Sequence, residues 1–408
     1  MQSFAKRLLA HFGEGRRPRQ FLVERFILGD AGFQRAWRKD SLILSDFKCR
    51  SPLMCPASGP PREWKVPSLR TTGELARWLN LQPNELAWFA DCRTQEQKLP
   101  DGPLRHYRYQ WKTKRDGSAR LIESPKQHLK ILQRFLLAKI LDHIPPHSVA
   151  HGFRAGRSIK TFAEPHSNRH IVLKLDLKDF FPGTFRARIL AIFMTAGYPE
   201  AVARLLTGLC TNSVPPGVIS TCPAAVSATQ RRRMKLLYQR PHLPQGAPTS
   251  PALANLAAYR FDCRLAGLAK AADAHYTRYA DDLVFSGDKG FAAMIDRFYI
   301  QVCAIALEEG FEVHTRKTRI MRRSVAQRAV GLVLNSHLNV SRDSFDRLKA
   351  ILHNCVVHGP DGQNRDGVAD FQAHLAGRIA HVEMINPTRG KRLREKFQRI
   401  AWAGRRAD

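Results

Sequence analysis

Residues 276–287, which read YTRYADDLVFSG, place two adjacent carboxylates between short apolar runs. This pattern predicts a β-hairpin that presents Asp281 and Asp282 at its tip. Two like charges held side by side and partly buried are unfavourable unless a cation neutralises them. Carboxylate oxygens suit Mg²⁺, so the stretch predicts a metal site. An exposed Ala-Asp-Asp turn on the surface is the alternative interpretation.

A third acid ends another apolar run. Residues 171–175 are mostly apolar and predict a short buried strand, and Asp176 follows them directly. A clamp for two metal ions about 3.5–4 Å apart needs acids from neighbouring strands. We therefore predict two Mg²⁺ ions held by Asp176, Asp281 and Asp282, which would activate an attacking hydroxyl and stabilise a departing pyrophosphate. Asp179 is expected to shape a triphosphate pocket through backbone amides rather than to bind metal.

The charge of the chain indicates a polyanionic partner. Its 408 residues include 66 Lys and Arg against 35 Asp and Glu, a formal net charge of +31. Neutralising phosphates releases condensed counterions, which favours nucleic acid as the partner. No run of about 18 apolar residues could span a bilayer, so no membrane partner is expected. Eight scattered cysteines without a Cys-x-x-Cys pair fit neither a zinc site nor a disulfide framework, and indicate reduced thiols in the cytosol.

Strand and helix patterns are interleaved along the chain. A helical pattern begins at Thr71. Residues 107–122 alternate apolar and polar side chains around Asp116-Gly117, which predicts a basic β-hairpin. Helical spacing follows at residues 129–140. Residues from 341 onward are basic and helical in pattern. This order predicts an α+β core with helical ends.

Three motifs in this chain resemble those of bacterial reverse transcriptases, and of retron reverse transcriptases in particular. They are LDLKDFFP at residues 175–182, LPQGAPTSP at residues 243–251 and YADD at residues 279–282. The resemblance implies an α+β right-hand polymerase fold. Fingers and a palm, an antiparallel sheet backed by helices, are expected over residues 68–340, and a helical basic thumb over residues 341–408. Residues 1–67 are expected to form an N-terminal extension.

The resemblance also implies catalytic roles. Asp176, Asp281 and Asp282 match the three metal-binding acids of the family. Phe181 matches the steric gate that rejects a ribose 2′-hydroxyl, although a plain core Phe is the alternative. Lys317 resembles a lysine that protonates pyrophosphate.

Nucleotide-binding roles follow in the same way. Lys114 and Arg120, on the basic hairpin, match finger residues that grip the triphosphate, and a flexible cationic hairpin suits a phosphate ligand. A solvated basic hairpin without a ligand is the alternative. Gln245 and Gly246 match the loop that packs on the incoming nucleotide and the template base.

An RNA-binding role is expected for a basic, glycine-containing loop at residues 151–158, HGFRAGRS, where Arg154 and Arg157 can approach a phosphate backbone. His166 belongs to a retron signature in which Phe162 replaces the usual Asn, and a structural histidine is the alternative. Residues 329–331 read Ala-Val-Gly where the family has Val-Thr-Gly, a triplet associated with RNA recognition. Val330 and Gly331 are therefore predicted to contact RNA.

The resemblance implies a function and its partners. The chain is expected to be a bacterial cytoplasmic RNA-directed DNA polymerase that uses dNTPs to copy part of a cognate structured non-coding RNA. Priming from a guanosine 2′-hydroxyl would give a branched RNA–DNA hybrid, in anti-phage defence with an effector protein as partner. The alternatives are another bacterial reverse transcriptase, of the group II intron or abortive-infection type, or a catalytically silent RNA-binding protein of the same fold. About 70 residues after Asn339, without a nuclease-like Cys/His cluster, argue against an intron enzyme.

Overall fold

A computed structural model describes residues 4–12, 20–38, 64–113, 118–223 and 226–402. In that part of the chain, helices α1 to α18 span Phe4–Phe12, Gln20–Gly29, Ala31–Arg38, Thr72–Trp78, Pro83–Ala90, Gln127–Lys139, Ile159–Ala163, Arg186–Thr195, Glu200–Cys210, Pro216–Ser220, Ala228–Tyr238, Ser250–Ala257, Tyr259–Ala271, Lys289–Ala293, Ile295–Glu308, Arg342–His358, Phe371–Ile385 and Pro387–Gln398. Strands β1 to β9 span Tyr107–Thr113, Ala119–Pro125, Ile171–Asp176, His275–Tyr279, Asp282–Gly287, Arg319–Arg322, Arg328–Ala329, Leu332–Val333 and Asn339–Val340.

One compact unit comprises Met1–Arg93 and Leu190–Leu209. The helical pattern predicted from Thr71 is confirmed there by α4 and α5. The Thr71 side chain accepts a hydrogen bond from the Glu74 amide at 3.1 Å and so caps α4. A Cβ on Gly208 would lie 2.0 Å from the Ala90 carbonyl oxygen, so only glycine permits this approach of the two backbones.

The second compact unit comprises Thr94–Ile189 and Cys210–Asp408. Its central sheet has four strands in the order β4-β5-β3-β6, all antiparallel. Strand β3 is the apolar run predicted at residues 171–175, and its side chains Ile171, Val172 and Leu173 are fully buried. Helix α13 packs against both β4 and α15. The predicted antiparallel sheet backed by helices is therefore confirmed, and with it the α+β class.

A two-stranded hairpin in the second unit pairs β1 with β2 antiparallel, from Tyr107 opposite Pro125 to Thr113 opposite Ala119. This confirms the basic hairpin, while its tip, residues 114–117, lies outside the described residues. A second small sheet, β7-β8-β9, follows the central one.

The C-terminal helices α16, α17 and α18 share a core with the central sheet in the second unit. Leu352, Ile379 and Leu393 come from these three helices, and the same apolar cluster includes Val172 of β3 and Val284 of β5. The predicted helical character beyond residue 341 is confirmed, while the domain boundaries at residues 67 and 340 stay predictions. None of the helices in the described ranges is long and apolar enough to cross a membrane.

Candidate active site

The hairpin β4–β5 and strand β3 bring the predicted acids to one edge of the central sheet. Asp176 and Asp282 are cross-strand partners at the ends of β3 and β5. Asp281 lies in the two-residue turn between Tyr279 and Asp282. The Leu177 amide donates to the Asp281 carbonyl oxygen at 2.9 Å, which fixes the turn against the end of β3. Burial, together with the negative charges of Asp176 and Asp282, raises the pKa of the Asp281 carboxyl.

Two lysines face these acids. Lys317 Nζ lies 3.0 Å from Asp176 Oδ1 and 3.2 Å from Asp176 Oδ2. Lys174 Nζ lies 2.9 Å from Asp282 Oδ1, close enough for an ion pair but without hydrogen-bond geometry. Side chains alternate along a strand, so Lys174 and Asp176 project from the same face of β3. Each ammonium group therefore balances the charge of one carboxylate.

The chemistry of the three acids suits a divalent cation. Carboxylate oxygens are the ligands that Mg²⁺ prefers, and the buried Asp282 Oδ1 receives no hydrogen bond. Burial and the neighbouring carboxylates raise the pKa of Asp281, and a bound cation would stabilise its charged form. Among the residues that the structure describes, however, no group of three or more His, Cys, Asp or Glu side chains is arranged as a finished metal site. Asp176, Asp281 and Asp282 therefore remain candidate ligands.

A cleft of about 890 Å³ opens beside the acids. Its lining includes six of the predicted site residues: Arg120, Asp176, Phe181, Gln245, Asp281 and Lys317. Ligand pockets of roughly 300–1,000 Å³ bury drug-sized molecules. The cleft therefore has room for a nucleoside triphosphate beside the carboxylates.

Two adjacent phenylalanines after β3 differ in environment. Both line the cleft, but Phe180 is buried whereas Phe181 is half-buried. The Phe181 ring lies 6.3 Å, between centroids, from the ring of Phe153, which is 52% exposed. Phe181 therefore lies at the cleft surface, and its role as a steric gate stays a prediction.

The loop after α11 is held against the hairpin β1–β2. The Glu123 amide donates to the Gln245 carbonyl oxygen at 2.9 Å. Gly246 has a φ of 137°, and a Cβ at this position would lie 2.8 Å from the Glu123 carbonyl oxygen. Glycine is required here for both reasons. Arg120, on the same strand as Glu123, is exposed and lines the cleft, whereas the predicted Lys114 lies outside the described residues.

A buried polar network lies under this loop. His242 Nε2 and Glu123 Oε1 are 2.9 Å apart, and both side chains are fully buried. Asn212 Nδ2 donates to Glu123 Oε2 at 2.8 Å and to the Tyr109 hydroxyl at 3.1 Å. Burial opposes the charged form of His242, but the Glu123 carboxylate outweighs it and raises the pKa of the imidazole.

Most residues predicted to bind RNA are accessible. Arg157 is exposed and Arg154 is half-buried, with its Nη1 3.4 Å from the His147 carbonyl oxygen. Val330 and Gly331 form the turn between β7 and β8, with φ values of 44° and 82°, and Gly331 is exposed. Their contact with RNA stays a prediction.

His166 is the exception. The side chain is fully buried, with Nδ1 2.7 Å from Ser286 Oγ and Nε2 2.7 Å from Thr277 Oγ1. Because both ring nitrogens contact hydroxyls on β4 and β5, the imidazole cannot reach RNA without unpacking the sheet. The predicted RNA contact by His166 is wrong, and the alternative of a structural histidine holds.

Three charged residues at or near the site were not predicted from the sequence to have a role there. Lys174 could have been found from strand alternation, since it lies two residues before Asp176. Arg233 Nε lies 2.6 Å from Asp179 Oδ2, so Asp179 pairs with a basic helix, α11, that lines the cleft. The third, Arg278, is a fully buried charge on β4, and a charge that is fully buried needs a specific partner.

Comparisons with known proteins agree with the geometry. The family described as "Reverse transcriptase (RNA-dependent DNA polymerase)" matches residues 112–334. The retron Mx65 reverse transcriptase of Myxococcus xanthus is 40% identical over 335 residues, which are 80% of this chain and 71% of that relative. The retron Mx162 reverse transcriptase of the same organism is 37% identical over 334 residues, 78% of this chain and 64% of that relative. A telomerase structure from Candida albicans, with a fragment of telomeric RNA, aligns with a TM-score of 0.38 and 11% identity over 71% of this chain and 56% of that chain, too weakly to carry an argument.

Proposed function

Because the chain belongs to the reverse transcriptases, and among them to the retron reverse transcriptases, we propose that this RNA-directed DNA polymerase copies part of a structured RNA from its own locus. The proposed product is DNA joined to that RNA through the 2′-hydroxyl of a guanosine. The family relationship supports the reaction class. The RNA template and the branched product are the proposed part.

The observation that carries the proposal is the convergence of Asp176, Asp281 and Asp282 at one edge of the sheet, beside a cleft large enough for a nucleotide. When bound by these carboxylates, two Mg²⁺ ions would lower the pKa of the attacking hydroxyl and stabilise the pyrophosphate. Lys317 lies against Asp176, and we propose that its ammonium group gives a proton to a departing phosphate oxygen.

Other residues of the cleft would hold the nucleotide. Arg120 is exposed on the hairpin and can donate to phosphate oxygens, a role also proposed for Lys114. Gln245 and Gly246 would pack on the base, since their loop is fixed against β2. Phe181 would contact the sugar edge and disfavour a 2′-hydroxyl, so that deoxynucleotides are selected.

Binding of the RNA would depend on phosphate contacts. Arg154 and Arg157 lie in the basic loop ahead of β3, and the net charge of +31 favours a polyanion. Val330 and Gly331 form the turn between β7 and β8, where Gly331 is exposed, and RNA would approach there. We further propose that the protein acts in the bacterial cytoplasm, in anti-phage defence with an effector protein.

The test is synthesis by the full-length chain on the RNA transcribed from the adjacent locus, with dNTPs and Mg²⁺. Sequencing should find DNA covalently attached to one guanosine of that RNA, and a 2′-deoxyguanosine at that position should stop synthesis. The control is a scrambled RNA of equal length, which has the same charge but a different structure. Equal synthesis on the scrambled RNA, without RNA-linked DNA, would contradict the retron function.

A further inference from the structure

A buried arginine lies directly behind the acidic turn. Arg278, on β4, is completely buried. Its guanidinium donates to both carboxylate oxygens of Asp262 on α13, at 2.8 Å from Nε and 2.6 Å from Nη2. The remaining nitrogen, Nη1, donates to Asn255 Oδ1 on α12 at 2.9 Å and to the Ala280 carbonyl oxygen at 3.0 Å. One side chain thus connects two helices to the turn that carries Asp281.

The turn itself has an unfavourable backbone that needs support. Ala280 has a φ of 54°, a left-handed conformation that residues with a Cβ rarely adopt. The backbone of Gly152 packs closely against this turn, since a Cβ at Gly152 would lie 2.7 Å from the Ala280 nitrogen. Asn255 Nδ2 donates to the Gly152 carbonyl oxygen at 2.8 Å, and the His151 amide donates to the Arg278 carbonyl oxygen at 2.8 Å. The basic loop and the acidic turn are therefore fixed to the same arginine.

The same guanidinium contacts the segment that follows β3. Arg278 Cζ lies 5.5 Å from the centroid of the Phe180 ring, and Phe180 precedes the cleft residue Phe181. A buried ion pair adds little stability beyond that of apolar residues of similar volume. The planar guanidinium of Arg278, however, fixes several hydrogen-bond acceptors in one geometry, which a flexible apolar side chain cannot do. Positioning is therefore the better explanation of this pair.

We propose that the Arg278–Asp262 ion pair is a positioning device for the catalytic turn. It holds the Ala280 carbonyl, and so sets the place of the Asp281 carboxylate relative to Asp176. Through Asn255 it also couples the turn to the basic loop at residues 151–158. Arg278 does not touch substrate and is a positioning residue. This inference rests on the proposed function, because it assigns a purpose to the geometry of that site.

The test is Arg278→Lys in the full-length chain bound to its RNA. Lysine keeps the charge, but one ammonium group cannot hold Asp262, Asn255 and the Ala280 carbonyl together. We expect turnover per folded molecule to fall about 100-fold, the loss that a misplacement of about 1 Å produces. In an EPR titration with Mn²⁺, the half-saturating concentration should rise about tenfold, as expected when support of metal ligands is removed.

A matched control is Arg394→Lys, the same exchange in a fork pair between α18 and α17, where Arg394 contacts Glu383 at 3.0 and 2.6 Å. This variant should keep the parent's turnover and Mn²⁺ affinity. Asp262→Asn, which is nearly isosteric, should shift both quantities in the direction of Arg278→Lys and serves if that variant does not fold.

The proposal is overturned if the folded variants bind Mn²⁺ like the parent and lose turnover only in proportion to lost folded protein. Failure of the proposed function would be recognised by a separate result, measured on the parent protein. If the parent itself makes no DNA on RNA, the polymerase proposal fails, while the Mn²⁺ titration still decides whether Arg278 positions the acids.

Discussion

The hydrogen bonds around His166 determine which of its ring nitrogens carries the proton. Thr277 Oγ1 has a single hydrogen, which it donates to the Phe162 carbonyl oxygen at 2.9 Å. It must therefore accept from His166 Nε2, so Nε2 carries the proton and Nδ1 accepts from the Ser286 hydroxyl. Burial, with the charges of His275 and Arg169 among others, lowers the pKa of His166 to about 3. The folded protein keeps this histidine neutral.

Acid should destabilise the protein through His166. In the unfolded chain the pKa of His166 is about 6.5. Between pH 6.5 and about pH 3, therefore, His166 is protonated in the unfolded state but not in the folded state. The stabilisation is complete above the unfolded pKa and is lost as pH falls, by about 2 kcal/mol at pH 5.

His166→Gln offers a donor and an acceptor in similar places but does not titrate. Urea unfolding at pH 7 and pH 5 should show a smaller acid loss in this variant than in the parent. Equal losses in the two proteins would show that His166 is already protonated or exposed in the fold.

Strands with a clear local pattern of apolar residues were predictable from the sequence, whereas the polar contacts between distant elements were not. The hairpin at residues 107–122 appears as predicted because a period-two pattern encodes a half-buried strand, and the run at 171–175 appears as predicted because a short continuous apolar run encodes a buried strand. The three acids also converge as predicted, because two adjacent antiparallel strands end at the same edge. The pairing of Glu123 with His242 is different. These residues are 119 positions apart, and nothing in a local pattern encodes such a contact.

The hairpin β1–β2 should depend on the Glu123–His242 pair. Glu123→Ala removes the partner of a buried imidazole and of the Asn212 amide, and breaking a buried pair in this way costs about 3–5 kcal/mol. Urea unfolding should show that loss in the free energy of unfolding.

The comparison is Glu200→Ala, which removes an exposed pair with Arg204 on α9 and should cost under about 1 kcal/mol. Similar losses in the two variants would mean that the Glu123 pair contributes no more than a surface ion pair.

Charge acts over the full chain and was readable from composition alone. With a net charge of +31, RNA binding should be dominated by phosphate contacts. Composition could not reveal which basic residues are already paired with carboxylates within the protein. Arg278, Arg233 and Lys174 are bound to carboxylates inside the second unit, and such pairing is decided by tertiary packing.

Affinity for the RNA should fall steeply with salt. For about 6–10 phosphate contacts, the dissociation constant should rise about 10³- to 10⁵-fold between 50 and 200 mM salt. Filter binding over that range would measure it, and Arg157→Gln should reduce the log–log slope by about 1. A flat dependence would refute the phosphate-based account of RNA binding.

The central claim is that Asp176, Asp281 and Asp282 act together in joining nucleotides, and Asp281→Asn tests it most directly. DNA synthesis on the RNA should be measured for the parent, for this variant and for Asp288→Asn, an acid outside the cleft that is 70% exposed. We predict that Asp281→Asn abolishes synthesis with RNA binding intact, while Asp288→Asn retains synthesis. Synthesis by Asp281→Asn at the parent's rate would contradict the account.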